Sequence, residues 1–346
     1  MKAAVLHGVN DLRYEEVPTP AIKAGEALIK VKAAGVCGSD VPRIMQKGTY
    51  KFPLIPGHEF SGEVVELAQN VTDVKIGDRA TVIPLIPCLK CDYCQIGEYA
   101  QCDDYDYLGS RTDGGFAEYA KAPVSNLVIV PENVDLIEAS LTEPAAVALH
   151  ALRRTGVDAG DKVAILGAGP IGLMLAQWAR IMGAGKIFLV DIVEEKLQFA
   201  QKLGFTDCIN SREQDAVEAI MDATNGKGVD LAIEGAGAAI TFRQCIQVAR
   251  KLGKVIFMGN IETDVVLDAK TVSSILRKQI VMYGTWNSSF TCLPKNEWTT
   301  SLSFMNNGLN IKSLISHRFP LERAKEAIEM MFYKNQFFNR VVFVFD

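Results

Sequence analysis

No stretch of the sequence holds the roughly 18 uninterrupted apolar residues of a membrane-spanning helix, so a membrane is not an expected partner. The opening segment, MKAAVLHGVNDLRYEE, has too short an apolar run for a signal peptide, which predicts a cytoplasmic address. No basic block stands out either. Lys plus Arg total 36 against 41 Asp plus Glu, the net charge is −5, and a nucleic-acid partner is not expected. Internal repeats and low-complexity tracts are also lacking. What remains, 49% hydrophobic and 22% charged residues, is the composition of an ordinary folded chain rather than a disordered one. At 346 residues it exceeds the size at which one core keeps growing, which predicts two domains.

The eight cysteines are unevenly placed. Cys88, Cys91, Cys94 and Cys102 lie in one 15-residue stretch with the spacing Cys-x2-Cys-x2-Cys-x7-Cys. Each x2 interval lets a tight turn aim neighbouring thiolates at a common point, and four anions need a cation between them. In a chain without an export signal this points to thiolate ligation, not disulfides. Zn²⁺ in a closed, structural site is the first choice, with an iron–sulfur cluster second because the x7 step and the absence of a following Pro suit it less. Cys208, Cys245 and Cys292 are scattered singly and read as ordinary thiols. Cys37, in Cys-Gly-Ser-Asp, and His58 with Glu59, in Gly-His-Glu, form a second group drawn from separate segments. A Cys, a His and carboxylates suggest an open metal site with room for a substrate.

The first 150 residues contain short apolar runs broken by Gly and Pro, such as ALIKVKAAGV, SGEVVEL and RATVIPLIP, and read as a β-rich domain. After Asp161 apolar strand-like runs alternate with helix-length amphipathic segments. KVAIL, KIFLVD, DCIN, VDLAIEG, KVIFMG and QIVMYG are six expected strands, with helices in IGLMLAQWARIMG, EEKLQFAQKLG and TFRQCIQVARKLG. That alternation predicts an α/β, doubly wound parallel sheet over residues 151–284. From about Gly284 the rhythm loosens, and the closing run RVVFVF is a strand expected to return to the first domain.

KVAIL runs into Gly167-Ala168-Gly169-Pro170-Ile171-Gly172, then an apolar helix, then KIFLVD. A Gly-x-Gly-x-x-Gly turn in this setting is a dinucleotide fingerprint: the first Gly permits the turn, the second lets backbone approach a pyrophosphate, and the third lets helix and strand pack closely. The diphosphate is expected at the helix N-terminus. Asp191 closes the second strand 19 residues beyond Gly172, where an acid receives ribose hydroxyls. That carboxylate would repel a 2′-phosphate, so NAD is expected over NADP. A flavin can use a similar fingerprint and stays open on these residues.

Taken with Gly35-Val36-Cys37-Gly38-Ser39-Asp40, Gly57-His58-Glu59-Phe60-Ser61-Gly62 and Glu143-Pro144, this fingerprint resembles the zinc-dependent medium-chain dehydrogenase family over essentially the whole length. The sorbitol-dehydrogenase-like polyol branch matches better than the alcohol dehydrogenases, because Glu143 stands where those carry a second cysteine ligand. The resemblance implies a GroES-like β-barrel domain from residues 1–150 and 285–346 and a Rossmann domain between, with the active site in the cleft. It makes Cys37, His58 and Glu59 or Glu143 the catalytic zinc ligands, the two glutamates exchanging as substrate or water enters, and gives two zinc ions per chain. Ser39 would accept the substrate's hydroxyl proton and Asp40 would orient His58. Family members often continue the proton relay with a His five residues after the Cys, but here that position is Pro42.

The expected reaction is oxidation of a zinc-bound secondary alcohol of a polyol or polyol phosphate, with galactitol 1-phosphate to tagatose 6-phosphate the specific expectation. Threonine, sorbitol and butanediol are the alternatives within the family. A non-catalytic nucleotide- and zinc-binding redox sensor is the alternative of another class. A phosphorylated substrate needs a cationic anchor, for which Arg43, Lys47, Lys51, Arg111 and Lys295 are candidates. Trp286 and Trp298 are candidates to wall the cleft, though aromatic packing explains each. A homodimer or homotetramer is expected, with the edge strand around QIVMYG as a pairing surface.

Overall fold

The computed structural model describes residues 1–69, 71–292 and 295–346. The chain divides into two compact units, Met1–Ala146 with Ser289–Asp346, and Val147–Ser288. Among the described residues no helix is long and apolar enough to cross a membrane.

The first unit is built around the strand Glu26–Gly35, whose ALIKVKAAG run is buried over most of its length because three strands pair with it. Glu59–Leu67, Tyr119–Pro123 and the C-terminal Arg340–Val344 all run antiparallel to it. The seven-stranded sheet continues through Ile315–Pro320 on one side and through Arg79–Val82 and Leu127–Ile129 on the other. Two further two-stranded sheets are separate from it, the hairpin Lys2–Gly8 with Asp11–Glu16 and the pair Leu85–Ile86 with Asp106–Tyr107. Apolar side chains from the main sheet and the first hairpin share one core, in which Phe116 and Phe343 meet edge to face with ring centroids 4.8 Å apart. RVVFVF thus belongs to the first unit although it closes the sequence. Trp298 is buried in this unit, so packing is its role here.

In the second unit six parallel strands lie in the order Asp207–Asn210, Lys186–Asp191, Lys162–Leu166, Val229–Glu234, Ala249–Phe257, Val281–Gly284. All six expected strands are present. The order reverses between Lys162–Leu166 and Val229–Glu234, the kind of switch point at which doubly wound sheets bind ligands. Pro170–Ile181 and Glu194–Lys202 are helices where the sequence places them.

Two differences are instructive. TFRQCIQVARKLG does not stay helical to its end: the helix Ala239–Val248 stops and Ala249 enters the strand, pairing with Val229. Ala, Arg, Lys and Leu are good helix formers, and ladder bonding to a buried neighbour overrides that preference. Helices Ala216–Ala223 and Ala269–Lys278 go unnamed in the sequence reading, although Asp215 and Asp268 cap them by accepting from Val217, Glu218 and Thr271 amides. QIVMYG yields the edge strand Val281–Gly284, with Val281 and Met282 exposed, and Trp286 beyond it is also exposed.

Candidate active site

Strand register brings Cys37, His58 and Glu59 together. Gly35 lies opposite Glu59 in the antiparallel pair, so Cys37, two residues past Gly35, and His58, one before Glu59, leave the sheet side by side. The ligand atoms of Cys37, His58 and Glu59 all lie within 4.8 Å of one another. Gly35 is required by this arrangement, since a Cβ there would run into the Glu59 carboxylate and Leu141. Gly57 is required for a different reason: it turns the chain into His58 with φ +93°, and the Phe116 ring fills the space a side chain would take. The same segment is pinned by Gly114 N–H on Ile55 O, Phe116 N–H on Pro56 O and Gly115 N–H on Gly57 O, each at 2.8–3.0 Å.

Asp40 is fully buried and serves three neighbours. Its Oδ2 accepts from the Cys37 amide at 3.1 Å, its Oδ1 accepts from Arg43 Nη1 at 2.6 Å, and Oδ1 also lies 3.3 Å from His58 Nδ1. That last approach falls outside hydrogen-bond angles, and among the described residues Nδ1 has no hydrogen-bond partner. Burial opposes charge on His58, but Asp40 and then Cys37 outweigh it and hold the imidazole pKa well above its usual value. Burial likewise raises Asp40, and His58 with Arg43 more than reverses this. The Ser39 hydroxyl is exposed and donates to Cys37 Sγ at 3.3 Å.

Glu143, at the start of the helix Thr142–Thr155, is not a member of the close trio. Tyr107 donates to its Oε1 at 3.5 Å. Burial pushes the Glu143 carboxyl up to about 7, with His58 pulling down and Glu59 pushing further up. Tyr107 is itself raised well above the usual phenol value, by burial first and Glu143 second, and its ring centroid lies 5.8 Å from that of His58.

Two residues here escape a reading of the sequence. Arg340, buried at the head of the last strand, places Nη1 3.0 Å from both Glu59 oxygens, 281 positions away in sequence. Its one signal is a charged residue opening the apolar run RVVFVF. Tyr107 carries no signal apart from following the cysteine cluster.

The donor sets fit metal ions. Cys88, Cys91, Cys94 and Cys102 bring their sulfurs within 4.8 Å of one another, with Cys88 and Cys94 sulfurs 4.0 Å apart. A tetrahedron with Zn–S of about 2.3 Å has sulfurs about 3.8 Å apart. The thiols respond unequally to this crowding: the Lys90 and Cys91 amides pull Cys88 down to about 7, while burial and the neighbouring thiols push Cys94 up to about 12. A divalent cation is what allows all four to ionise together. The trio of thiolate, imidazole and carboxylate is an equally good donor set for zinc, with fewer protein ligands.

In the second unit, Gly167 takes φ +118° and a Cβ on Gly172 would strike the Gly167 carbonyl. Gly169 faces open space, with nothing within 4 Å of where its Cβ would be, beside the uncapped start of Pro170–Ile181. Pro170 and Ile171 are partly exposed on that first turn. Such a turn suits a pyrophosphate. Asp191 accepts from Ile192 and Val193 amides through Oδ1, and from the Ala168 amide and Lys196 Nζ through Oδ2, the lysine contact being the longest at 3.3 Å. Lys196, unmarked in the sequence reading, is therefore the donor that a ribose hydroxyl can most easily replace.

The Glu59–Arg340 pair generates a stability test. Replacing Arg340 with Met strands a buried carboxylate and should cost roughly 3–5 kcal/mol, read as a lower urea midpoint. The double variant with Glu59→Gln should recover part of that loss, and a single variant as stable as the parent would refute the pairing.

Comparison with known proteins agrees with this geometry. Residues 23–132 match the alcohol dehydrogenase GroES-like domain and residues 170–307 the zinc-binding dehydrogenase domain. Sorbitol dehydrogenase of Bacillus subtilis is 35% identical over 344 residues, covering 97% of this chain and 95% of its own. Galactitol 1-phosphate 5-dehydrogenase of Escherichia coli is 33% identical over 330 residues, covering 95% of each chain. The crystal structure of the Escherichia coli galactitol-1-phosphate dehydrogenase superposes with a TM-score of 0.93 at 33% identity, covering 99% of this chain and all of the other. The chain therefore belongs to the zinc-dependent medium-chain dehydrogenase family, among its polyol dehydrogenases, and is an oxidoreductase acting on alcohols.

Proposed function

We propose that the protein oxidises a secondary alcohol of a phosphorylated polyol to a ketone with NAD as hydride acceptor, and that galactitol 1-phosphate, giving tagatose 6-phosphate, is its substrate. The observation that carries the chemistry is the close trio of Cys37, His58 and Glu59 with Glu143 beside it. Similarity at 33% identity to galactitol 1-phosphate 5-dehydrogenase over 95% of both chains supports the substrate.

In this reading Cys37, His58 and Glu59 hold one zinc and Cys88, Cys91, Cys94 and Cys102 hold another. Bound at the trio, zinc supplies Lewis-acid chemistry that lowers the pKa of a substrate hydroxyl toward the working pH. Ser39 takes the hydroxyl proton, and because its side chain is exposed, water can carry that proton away without the relay side chain that Pro42 lacks. Asp40 keeps His58 and the Cys37 loop in place through the contacts already described. Glu143, with its pKa near 7, can hold or release a proton at neutral pH and accepts from Tyr107. Gly167, Gly169, Pro170, Ile171 and Gly172 receive the dinucleotide, and Asp191 its ribose.

Initial rates of NADH formation with galactitol 1-phosphate, galactitol, sorbitol, threonine and 2,3-butanediol, measured side by side, test the substrate. Highest kcat/KM is expected for galactitol 1-phosphate, and preference for an unphosphorylated polyol would sink the assignment. Cys37→Ser should abolish turnover and leave the unfolding midpoint near that of the parent, whereas Cys94→Ser should lower the midpoint and release a zinc ion on purification; equal destabilisation by both would overturn the division of roles. Asp191→Ala should raise NADP use relative to NAD at least several-fold, because it removes the charge that repels a 2′-phosphate and leaves Lys196. An unchanged cofactor ratio would contradict the role given to Asp191.

A further inference from the structure

The five cations offered by the sequence as anchors for an anionic substrate are not equivalent in the fold. Arg43 is committed to the buried Asp40 carboxylate. Lys47 and Lys295 have partners of their own. Lys51 is exposed, without a contact that would hold its ammonium in place among the described residues. Arg111 differs from all four. Its guanidinium lies over two aromatic rings, 4.1 Å from the Tyr105 centroid and 4.8 Å from that of Tyr50, and its Nη1 donates to the Tyr105 carbonyl at 2.9 Å. Among the described residues no carboxylate pairs with it.

This setting has two physical consequences. Two ring faces and a carbonyl fix the plane of the guanidinium, so little side-chain entropy is left to lose on binding. Most of its N–H donors are uncommitted, in the planar fork that matches phosphate oxygens. Arg111 is also rooted beside the reaction centre, because its backbone N–H donates to the Tyr107 carbonyl at 2.9 Å. Tyr107 in turn reaches Glu143 through its hydroxyl, and its ring lies 5.8 Å from His58 and 6.3 Å from Tyr105. An unbroken line of side chains therefore runs from His58 through Tyr107 and Tyr105 to Arg111.

We propose that Arg111, clamped by Tyr50 and Tyr105, binds the phosphate of a phosphorylated polyol whose carbinol end lies at Cys37, His58 and Glu59. The proposal rests on the polyol-phosphate reading above and adds the residue that distinguishes the phosphate from a hydroxyl. Arg111 positions and selects the substrate; the hydride and proton transfers do not pass through it.

The test uses the zinc-replete enzyme with NAD, the variants Arg111→Met and Arg111→Lys, and galactitol 1-phosphate and galactitol as paired substrates. Losing charge-assisted bonds to phosphate should raise KM for galactitol 1-phosphate roughly 10- to 100-fold in Arg111→Met, with kcat changed much less. The calorimetric Kd of galactitol 1-phosphate should weaken in parallel. Kcat/KM for galactitol should stay within about twofold, and Arg111→Lys should recover part of the loss, since a point charge keeps the attraction without the fork. Equal losses on both substrates, or a falling unfolding midpoint that accounts for the lost rate, would assign Arg111 a structural role and overturn the proposal. An unchanged KM for galactitol 1-phosphate in a protein that prefers it would overturn this proposal alone, leaving the function intact. A parent enzyme that oxidises galactitol and ignores its phosphate would defeat the functional reading and this one together.

Discussion

Everything at the candidate site depends on one buried ion pair and the register it locks. Glu59, Gly35 and Val342 lie across three adjacent strands, Gly35 opposite both of the others. A slip of one residue in either ladder would turn Glu59 or Arg340 to the other face of the sheet. In the observed register the Glu59 carboxylate and the Arg340 guanidinium meet in a place from which water is excluded, and each would be costly alone. The pair thus penalises every misregistered alternative while holding Glu59 at a fixed angle beside Cys37 and His58. Its own net contribution to stability is secondary to that selection.

The organisation visible in the sequence is that of contiguous signals. Six apolar runs announced six parallel strands, and the glycine turn announced its place between Lys162–Leu166 and the following helix, because each depends on residues within a few positions of one another. The convergence of Cys37 with His58 was legible only as chemistry, as two motifs containing metal-binding side chains; their proximity is created by a strand pairing that no local pattern encodes. Arg340 was beyond reach for the same reason, since its partner lies in another strand pair at the far end of the chain. The misjudged end of TFRQCIQVARKLG is a related case, in which a tertiary ladder beginning at Ala249 overrides a local preference for helix.

The surroundings of Glu143 show how the candidate site balances charge. Asp40, Glu59 and Glu143 crowd three carboxylates near one thiol, and among the described residues Arg43, Arg340 and the raised-pKa imidazole of His58 answer them. Burial and charge set the protons together: burial raises Asp40 but His58 and Arg43 more than reverse it, while burial, with Glu59 adding to it, pushes Glu143 up to about 7 against the pull of His58. A divalent cation bound among these groups would offset the burial that raises Glu143 and favour the ionised carboxylate and thiolate, which are the forms that ligate metal.

The position of the four-cysteine cluster gives it influence over the candidate site. Cys102 closes the cluster, and within the next few residues come Tyr105, Tyr107 and Arg111, followed by Gly114, Gly115 and Phe116, which clamp the backbone ahead of His58. Fixing Cys102 fixes the start of this segment, and the hydrogen bonds from Gly114, Gly115 and Phe116 to Ile55, Gly57 and Pro56 fix its end. Between the two anchors the backbone has few ways to run, so the aromatic residues that contact His58 and hold Arg111 are ordered by constraints lying on either side of them. Loosening the cluster would release one anchor only. The expected consequence is a site whose Cys37, His58 and Glu59 still converge through strand register while Tyr105, Tyr107 and Arg111 lose their fixed placement, so that, in the function proposed above, a metal held by the four cysteines would bear on selectivity more than on the hydride step itself.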